Sequence, residues 1–368
     1  MNIITIIGTR PQLIKSKILS QTFKKYHIQE QIIHTSQHYD PNMSDVFFTE
    51  LDMQPPLHTL KLAPNQTRLQ RLFMMSSQIT PLIKSQKPDF VLVYGDTDST
   101  LAGAFSAHLC HIPLIHIEAG LRSLNHSMPE EQNRILTDSL ARLLFTPTTT
   151  ATKNLINEKI LTHTITQSGD IMLDLALYFA TKAKLPKPIL LDSTSWQNLN
   201  SSLPQGFFKH FCLATLHRST NLNKQNLESI FKALDSISAQ TPILFPLHPH
   251  TKTHLLRYKI APKHIVFCQP LSYLEMSFCL QNAICVFSDS GGLQRESFFF
   301  KKPHITLREE SEWQELLTHR FSILTGADTQ KILSTYHHKD RLFNTDFSMP
   351  IFGNGRACEI IAKTLKEL

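Results

Sequence analysis

The sequence predicts an α/β protein of two doubly wound domains facing a cleft, on three observations. Apolar strand-like runs alternate with helix-period segments almost from end to end of the 368 residues, and that alternation builds parallel sheets covered by helices on both faces. The length exceeds what one hydrophobic core ordinarily serves, so two domains are expected. The alternation also breaks once, in a polar stretch that opens with Lys182-Ala-Lys-Leu-Pro-Lys-Pro188 and continues over 192–204, and then restarts.

In the first half, strands are predicted at 3–7, 32–35, 90–94, 114–117 and 143–146, with helices at 12–26, 42–51, 67–85, 99–110 and 130–142. After the polar break, strands are predicted at 211–214, 243–247, 265–267, 284–287, 304–307 and 322–324, with helices at 224–237, 272–280 and 293–300. The domains are therefore placed at 1–180 and 181–354, and a final helical pattern at 355–368 can pack on either.

The composition excludes several classes. With 41% hydrophobic and 18% charged residues the chain suits a soluble globular protein, and no apolar run approaches the roughly 20 residues of a membrane span. Residues 1–8 fit a buried first strand better than a signal peptide. Six cysteines are scattered without a Cys-x-x-Cys pair, which predicts reduced, buried thiols and a cytoplasmic location rather than a zinc or disulfide framework. The net charge of +7 comes from dispersed lysines with no basic run interleaved with aromatics, which suits an anionic small substrate and not nucleic acid.

Polar residues gather where the strands end. Asp96 follows the strand 90–94, Glu118 follows 114–117, and Pro129-Glu130-Glu131 opens a helix. Ligands of open parallel sheets bind beyond the carboxyl ends of the strands, so acids there point to proton chemistry. Capping is the competing reading, since Asp96 precedes a helix and Glu130 and Glu131 fall in a first helical turn. Glu118 is harder to explain by capping. A buried carboxylate needs a partner, and the near neighbour Arg122 is the expected one.

Gly8-Thr-Arg10-Pro11 is not a glycine-rich dinucleotide fingerprint; Arg10, with Lys15 one turn on, can meet an anion by side-chain charge, or the segment is a solvated helix start. Ser290-Gly291-Gly292 before a helix has the form of a phosphate cradle, and Glu296 one to two turns later can accept from a ribose diol. His217 and Arg218 also follow a strand. His248-Pro-His250 occupies the equivalent place after the next, but lacks a third ligand for a metal site.

Taken together, Gly8-Thr-Arg-Pro, Gln37-His38, Gly95-Asp-Thr, Glu118-Ala-Gly-Leu-Arg122, Pro129-Glu-Glu-x-Asn-Arg134, His217-Arg218 and Asp289-Ser-Gly-Gly-x-Gln-x-Glu296 resemble the non-hydrolysing UDP-N-acetylglucosamine 2-epimerases over nearly the whole chain. The resemblance implies two Rossmann-like domains of glycosyltransferase-B type, with the helix at 355–368 returning to the first. It implies inversion at C2 of a UDP-N-acetylhexosamine, interconverting UDP-N-acetylglucosamine and UDP-N-acetylmannosamine by elimination of UDP to a 2-acetamidoglucal and re-addition. No cofactor and no metal are implied, and a homodimer is. Asp96, Glu118 and Glu130 are then the acid/base groups, and His217 is a catalytic or diphosphate contact. Arg10, Lys15, Arg134, Arg218, Ser290, Gly291, Gly292 and Glu296 bind the UDP-sugar.

The chemistry agrees with elementary physics. The C2 proton is not acidic in itself, so charge and N–H donors must first stabilise the leaving diphosphate. A carboxylate then removes the proton as positive character develops at C1, and the spacing leaves open which one. Shielding the glycal from water predicts closure of the two domains.

The chain departs from the family at two places. Tyr39-Asp-Pro-Asn-Met-Ser44 replaces an Arg-Glu-Met-Leu segment near a regulatory site of bacterial members, and Arg308-Glu-Glu-Ser-Glu-Trp313 replaces Arg-Asp-Thr-Thr-Glu-Arg-Pro. Both resemble the subgroup acting on UDP-2,3-diacetamido-2,3-dideoxyglucuronic acid, which is the alternative substrate. A UDP-sugar glycosyltransferase is the alternative activity.

Overall fold

A computed structural model of the chain describes residues 1–37, 55–63, 66–160, 164–199 and 201–368. The helix expected over 42–51, the segment 39–44 and His38 lie outside these residues. The chain divides into two compact units, Met1–Leu175 with Pro350–Leu368, and Ala176–Met349.

Among its described residues the first unit holds seven parallel strands, β1 (Asn2–Ile7), β2 (Gln29–His34), β3 (His58–Thr59), β4 (Phe90–Tyr94), β5 (Leu114–Ile117), β6 (Leu143–Thr146) and β7 (Thr164–Gln167). Their order in the sheet is β3-β2-β1-β4-β5-β6-β7. Helices α1 (Arg10–Lys25), α2 (Arg68–Gln86), α3 (Asp98–Leu109), α4 (Pro129–Leu140) and α5 (Thr149–Asn157) connect or follow them, and α6 (Ile171–Ala180) runs from the first unit into the second. The second unit repeats the plan with six parallel strands, β8 (Cys212–Thr215), β9 (Ile243–Pro246), β10 (Val266–Cys268), β11 (Val286–Ser288), β12 (His304–Thr306) and β13 (Ser322–Leu324). Their order is β10-β9-β8-β11-β12-β13. Its helices are α7 (Lys224–Ser238), α8 (Pro249–Tyr258), α9 (Tyr273–Asn282), α10 (Gly291–Phe299), α11 (Gln314–Thr318), α12 (Thr329–His337) and α13 (Lys339–Leu342), and α14 (Ala357–Lys366) belongs to the first unit.

In both sheets the chain works outward from its first strand and then reverses, the Rossmann order. The strands are apolar on both faces because helices cover both. Ile4, Ile6, Val91 and Val93 pack with Met75, Ile79 and Ile83 of α2 in one cluster. In the second unit Phe231, Phe245, Phe267 and Phe287 form the corresponding core.

Helix starts follow local chemistry. Thr67 and Gln70 form a capping box on α2, and Thr97 caps α3 by accepting from the Thr100 amide. Pro129 opens α4 with Glu130 and Glu131 in the first turn. Asp174 accepts from the amides of Ala357 and Cys358 at 3.0 and 2.8 Å, anchoring the start of α14.

The polar stretch after α6 is more ordered than its composition suggests. Leu190 bridges antiparallel to Cys268 at the edge strand β10, and Trp196 is buried edge-on against Phe267. This covers an edge that would otherwise present open hydrogen-bonding groups. All six cysteines are free, and five are buried. Among the described residues no helix is long and apolar enough to cross a membrane.

Candidate active site

Each sheet has one switch point, β1/β4 in the first unit and β8/β11 in the second. The sequence motifs gather there.

In the first unit, Gly8 ends β1 where no side chain fits: a Cβ would lie 2.0 Å from Ser99 Oγ and 2.1 Å from Thr35 Oγ1. Gly8 thus lets β1 and α3 approach closely, a role separate from phosphate binding. Gln12 then ties the two turns, accepting from the Gly8 amide at 2.8 Å and donating to the Tyr94 carbonyl at 2.8 Å and Thr97 Oγ1 at 2.9 Å. Arg10 begins α1, and its side chain lies outside the described set.

Asp96, in the turn after β4, accepts from Arg134 Nη2 at 2.5 Å. Burial raises its pKa above the ordinary carboxylate value; Arg134 and Lys15 oppose that rise, and the negative charges of Glu118 and Glu130 add to it. Asp96, Glu118, Glu130, Lys15 and Arg134 therefore form one electrostatic cluster.

Glu118 corrects the sequence expectation: its ion-pair partner is Lys15, and Arg122 is engaged elsewhere. Arg122 grips Glu158 through Nε and Nη2 at 2.7 and 2.6 Å and gives Nη1 to Asp138 at 2.8 Å. Proximity in sequence misled because Glu118 turns at the end of β5 with φ of 71°, where Lys15 reaches it from α1, while Arg122 is held by Asp138 and Glu158. A left-handed glutamate is uncommon, and holding such a conformation costs about 1–3 kcal/mol. The Glu118 and Ala119 amides both donate to the Phe145 carbonyl, at 3.1 and 3.0 Å, which fixes the turn.

The two acids of α4 separate in role. Glu130 is exposed. Glu131 is fully buried and accepts from the Ser123 and Leu124 amides at 3.0 Å and from Arg134 Nη1 at 2.8 Å. Burial would raise its pKa, but these donors outweigh it and leave the value lowered. Arg134 consequently spans Glu131 and Asp96.

Sequence reasoning missed the layer beneath. His116 on β5 is fully buried, with Nδ1 2.6 Å from Asp138 Oδ1 and Nε2 2.8 Å from the Gly95 carbonyl. Asp138 also accepts from the Gly120 amide at 3.1 Å. Burial alone would raise the Asp138 carboxyl, yet His116 and Arg122 hold it below its ordinary value. The available signal was the spacing of Glu131, Arg134 and Asp138 on one face of α4.

In the second unit, Asp289 after β11 is fully buried and accepts from the His217 amide at 3.1 Å, the Arg218 amide at 2.9 Å and Asn221 Nδ2 at 3.1 Å. It thereby shapes the turn that presents both side chains. His217 Nδ1 lies 3.3 Å from Asp289 Oδ1, and the ring remains 41% exposed. His248 caps α8 through its own Nδ1, which accepts from the His250 amide at 3.2 Å. Burial lowers its pKa, with the neighbouring His217 and His250 adding to that.

Ser290 caps α10 by accepting from the Leu293 amide. Gly292 is open: the nearest atom to a Cβ there is Ser290 Oγ at 3.7 Å. Gly291 is closed by Glu312, whose Oε1 would lie 2.1 Å from a Cβ. At the start of α9 the Tyr273 hydroxyl hydrogen-bonds Glu296 of α10; burial, then the Glu296 charge, pushes that phenol well above its ordinary value. Among the described residues no group of three His, Cys, Asp or Glu side chains is placed to hold a metal.

Two Rossmann-ordered sheets with polar groups at their switch points place the chain in the glycosyltransferase-B-type class of α/β proteins. The family model for UDP-N-acetylglucosamine 2-epimerase matches residues 21–366. A UDP-2,3-diacetamido-2,3-dideoxy-D-glucuronate 2-epimerase from Pseudomonas aeruginosa is 40% identical over 374 residues, covering 100% of both chains. The crystal structure of Methanocaldococcus jannaschii UDP-GlcNAc 2-epimerase in complex with UDP-GlcNAc and UDP aligns with a TM-score of 0.85 at 33% identity, covering 100% of both. The UDP-GlcNAc 2-epimerase from Neisseria meningitidis bound to UDP-GlcNAc aligns at 0.87 with 27% identity, again covering 100% of both. The chain belongs to the UDP-N-acetylglucosamine 2-epimerase family, and it is an isomerase of the non-hydrolysing type.

Proposed function

We propose that this isomerase interconverts UDP-N-acetylglucosamine and UDP-N-acetylmannosamine by inversion at C2. The observation that carries the reading is the cluster of Asp96, Glu118 and Glu130 with Lys15 and Arg134 at the first switch point. In the forward step the C1–O bond to the diphosphate breaks and the C2 proton passes to a carboxylate, leaving a 2-acetamidoglucal and UDP. Protonation of C2 on the opposite face, with return of UDP to C1, gives the epimer. Asp96 is the candidate base, because burial has raised its pKa and Arg134 keeps it oriented. Glu118 paired with Lys15, and the exposed Glu130, serve the opposite face and the leaving oxygen.

The second unit carries a candidate phosphate-binding turn of its own. Ser290, the amides of Gly291 and Gly292 and the start of α10 meet the phosphates. Arg218 and His217 add cationic or N–H donors, and Glu296, oriented by Tyr273, takes the ribose diol. In the first unit, Lys15 and Arg134, with Arg10 at the start of α1, are the candidate cations for the UDP-sugar.

Incubation with UDP-N-acetylglucosamine in deuterium oxide should yield UDP-N-acetylmannosamine with deuterium at C2. The 2,3-diacetamido uronic sugar nucleotide, named for the Pseudomonas relative, belongs in the same assay. Absence of C2 exchange with UDP-N-acetylglucosamine would remove the proposal. We also infer a cytoplasmic homodimer, supported by the free cysteines and by Leu69 and Phe73, which are 77% and 73% exposed one turn apart on α2.

A further inference from the structure

We propose that His116 and Asp138 are a positioning pair that sets the separation of Asp96 and Glu118; this rests on the reading of those two carboxylates as acid/base groups. Asp96 directly follows Gly95, whose carbonyl meets His116 Nε2 at 2.8 Å. Glu118 lies two residues before Gly120, whose amide donates to Asp138 Oδ2 at 3.1 Å. The 2.6 Å contact of His116 Nδ1 with Asp138 Oδ1 joins the two turns into one brace.

The brace acts where the backbone most needs it. Gly95, Glu118 and Gly120 all have left-handed φ, of 61°, 71° and 79°. The Gly95 and Glu118 amides still donate to the Ile117 and Phe145 carbonyls, at 2.9 and 3.1 Å, and the brace adds a hold on the Gly95 carbonyl and the Gly120 amide. A carbonyl accepts and cannot donate, so His116 Nε2 carries a proton. Asp138 is an ionised carboxylate that already receives Arg122 and Gly120, so Nδ1 donates to it as well. Both ring nitrogens are thus placed as donors, one toward each turn. His116 and Arg122 meet Asp138 and Glu158 in one network, of which Glu158 alone is substantially exposed, at 37%. Apolar residues of similar volume could fill this space at no loss of stability, but they could not hold a carbonyl and an amide on different turns at once.

The test uses the full chain with UDP-N-acetylglucosamine as substrate. Asp138→Asn cannot accept from both His116 and Gly120 as the carboxylate does. Its expected effect is a kcat lower by roughly 100-fold, the cost of a misplacement of about 1 Å, with KM and UDP affinity little changed. His116→Gln, which keeps one of the two hydrogen bonds, should fall between this variant and the parent. Ring nitrogen NMR of the unaltered enzyme at neutral pH needs no variant and should show both His116 nitrogens protonated. A folded Asp138→Asn with parental kcat, or a bare His116 nitrogen, overturns the positioning role. Asp96→Asn and Glu118→Gln run alongside separate the two claims. If they turn over normally, the acid/base reading falls and the pair with it; if they are inactive while Asp138→Asn is not, only the pair falls.

Discussion

Asp96 carries opposed requirements in one side chain. Burial makes ionisation unfavourable, and Arg134 only partly compensates. Its folded-state pKa lies above that of the unfolded chain, so the group favours the native state at low pH and loses that contribution as pH rises through the raised value. Asp96→Asn should therefore melt higher than the parent at pH 7, the gain disappearing toward the ordinary aspartate value of ~3.9. The same variant should lose roughly 10²–10⁴-fold in turnover, the usual size of a general acid–base contribution. Scanning calorimetry at both pH values and the C2 exchange assay check the two halves; a melting point lowered at pH 7 contradicts the first. Lys15 gives a second residue-scale expectation. Lys15→Met leaves Glu118 nearly buried, at 13% exposure, without its cation. Turnover in the C2 exchange assay should fall by roughly 10²-fold, the size of losing one charged or N–H contact at a reacting centre, and a parental rate would show that the ion pair does not serve catalysis.

At the scale of elements, close approach at the β1/β4 switch point is the vulnerable feature. Gly8→Ala places a methyl against the Thr35 and Ser99 hydroxyls, which are themselves 2.6 Å apart. A loss of about 1–3 kcal/mol in denaturant unfolding is expected, as for overpacked cores; an unchanged midpoint would mean α3 can retreat. The motif glycine was legible in the sequence, but its reason was not, since spacing does not say which helix crosses a strand end. The central strands were legible because β1, β4, β5 and β6 are apolar on both faces. The edge strands β3 and β7 were not: His58–Thr59 and Thr164–Gln167 are polar and at least partly exposed. Helices α5, α8 and α12 were not predicted, being polar on much of their surface, nor was α6, which is apolar almost throughout and so shows little helical period. In the candidate site the strand-end acids stood out as residues, whereas their partners did not. Lys15 reaches Glu118 from 103 positions away and Asp138 reaches His116 from 22, pairings that depend on strand order.

For the molecule as a whole, the apolar pair on α2 bears on assembly. Leu69→Glu with Phe73→Glu should shift the sedimentation coefficient to that of a monomer, and a parental value would place the homodimer contact elsewhere. The anchoring of α14 by Asp174 has a further consequence, for the order in which the chain matures. Residues 350–368 complete the first unit, although the whole of 176–349 is translated before them. On the ribosome the second unit can finish its core while the first still lacks its last helix, with α1 awaiting the face that α14 covers. Pulse proteolysis of stalled nascent chains should find 176–349 protected earlier than 1–175, reversing the N-to-C sequence usual for consecutive domains.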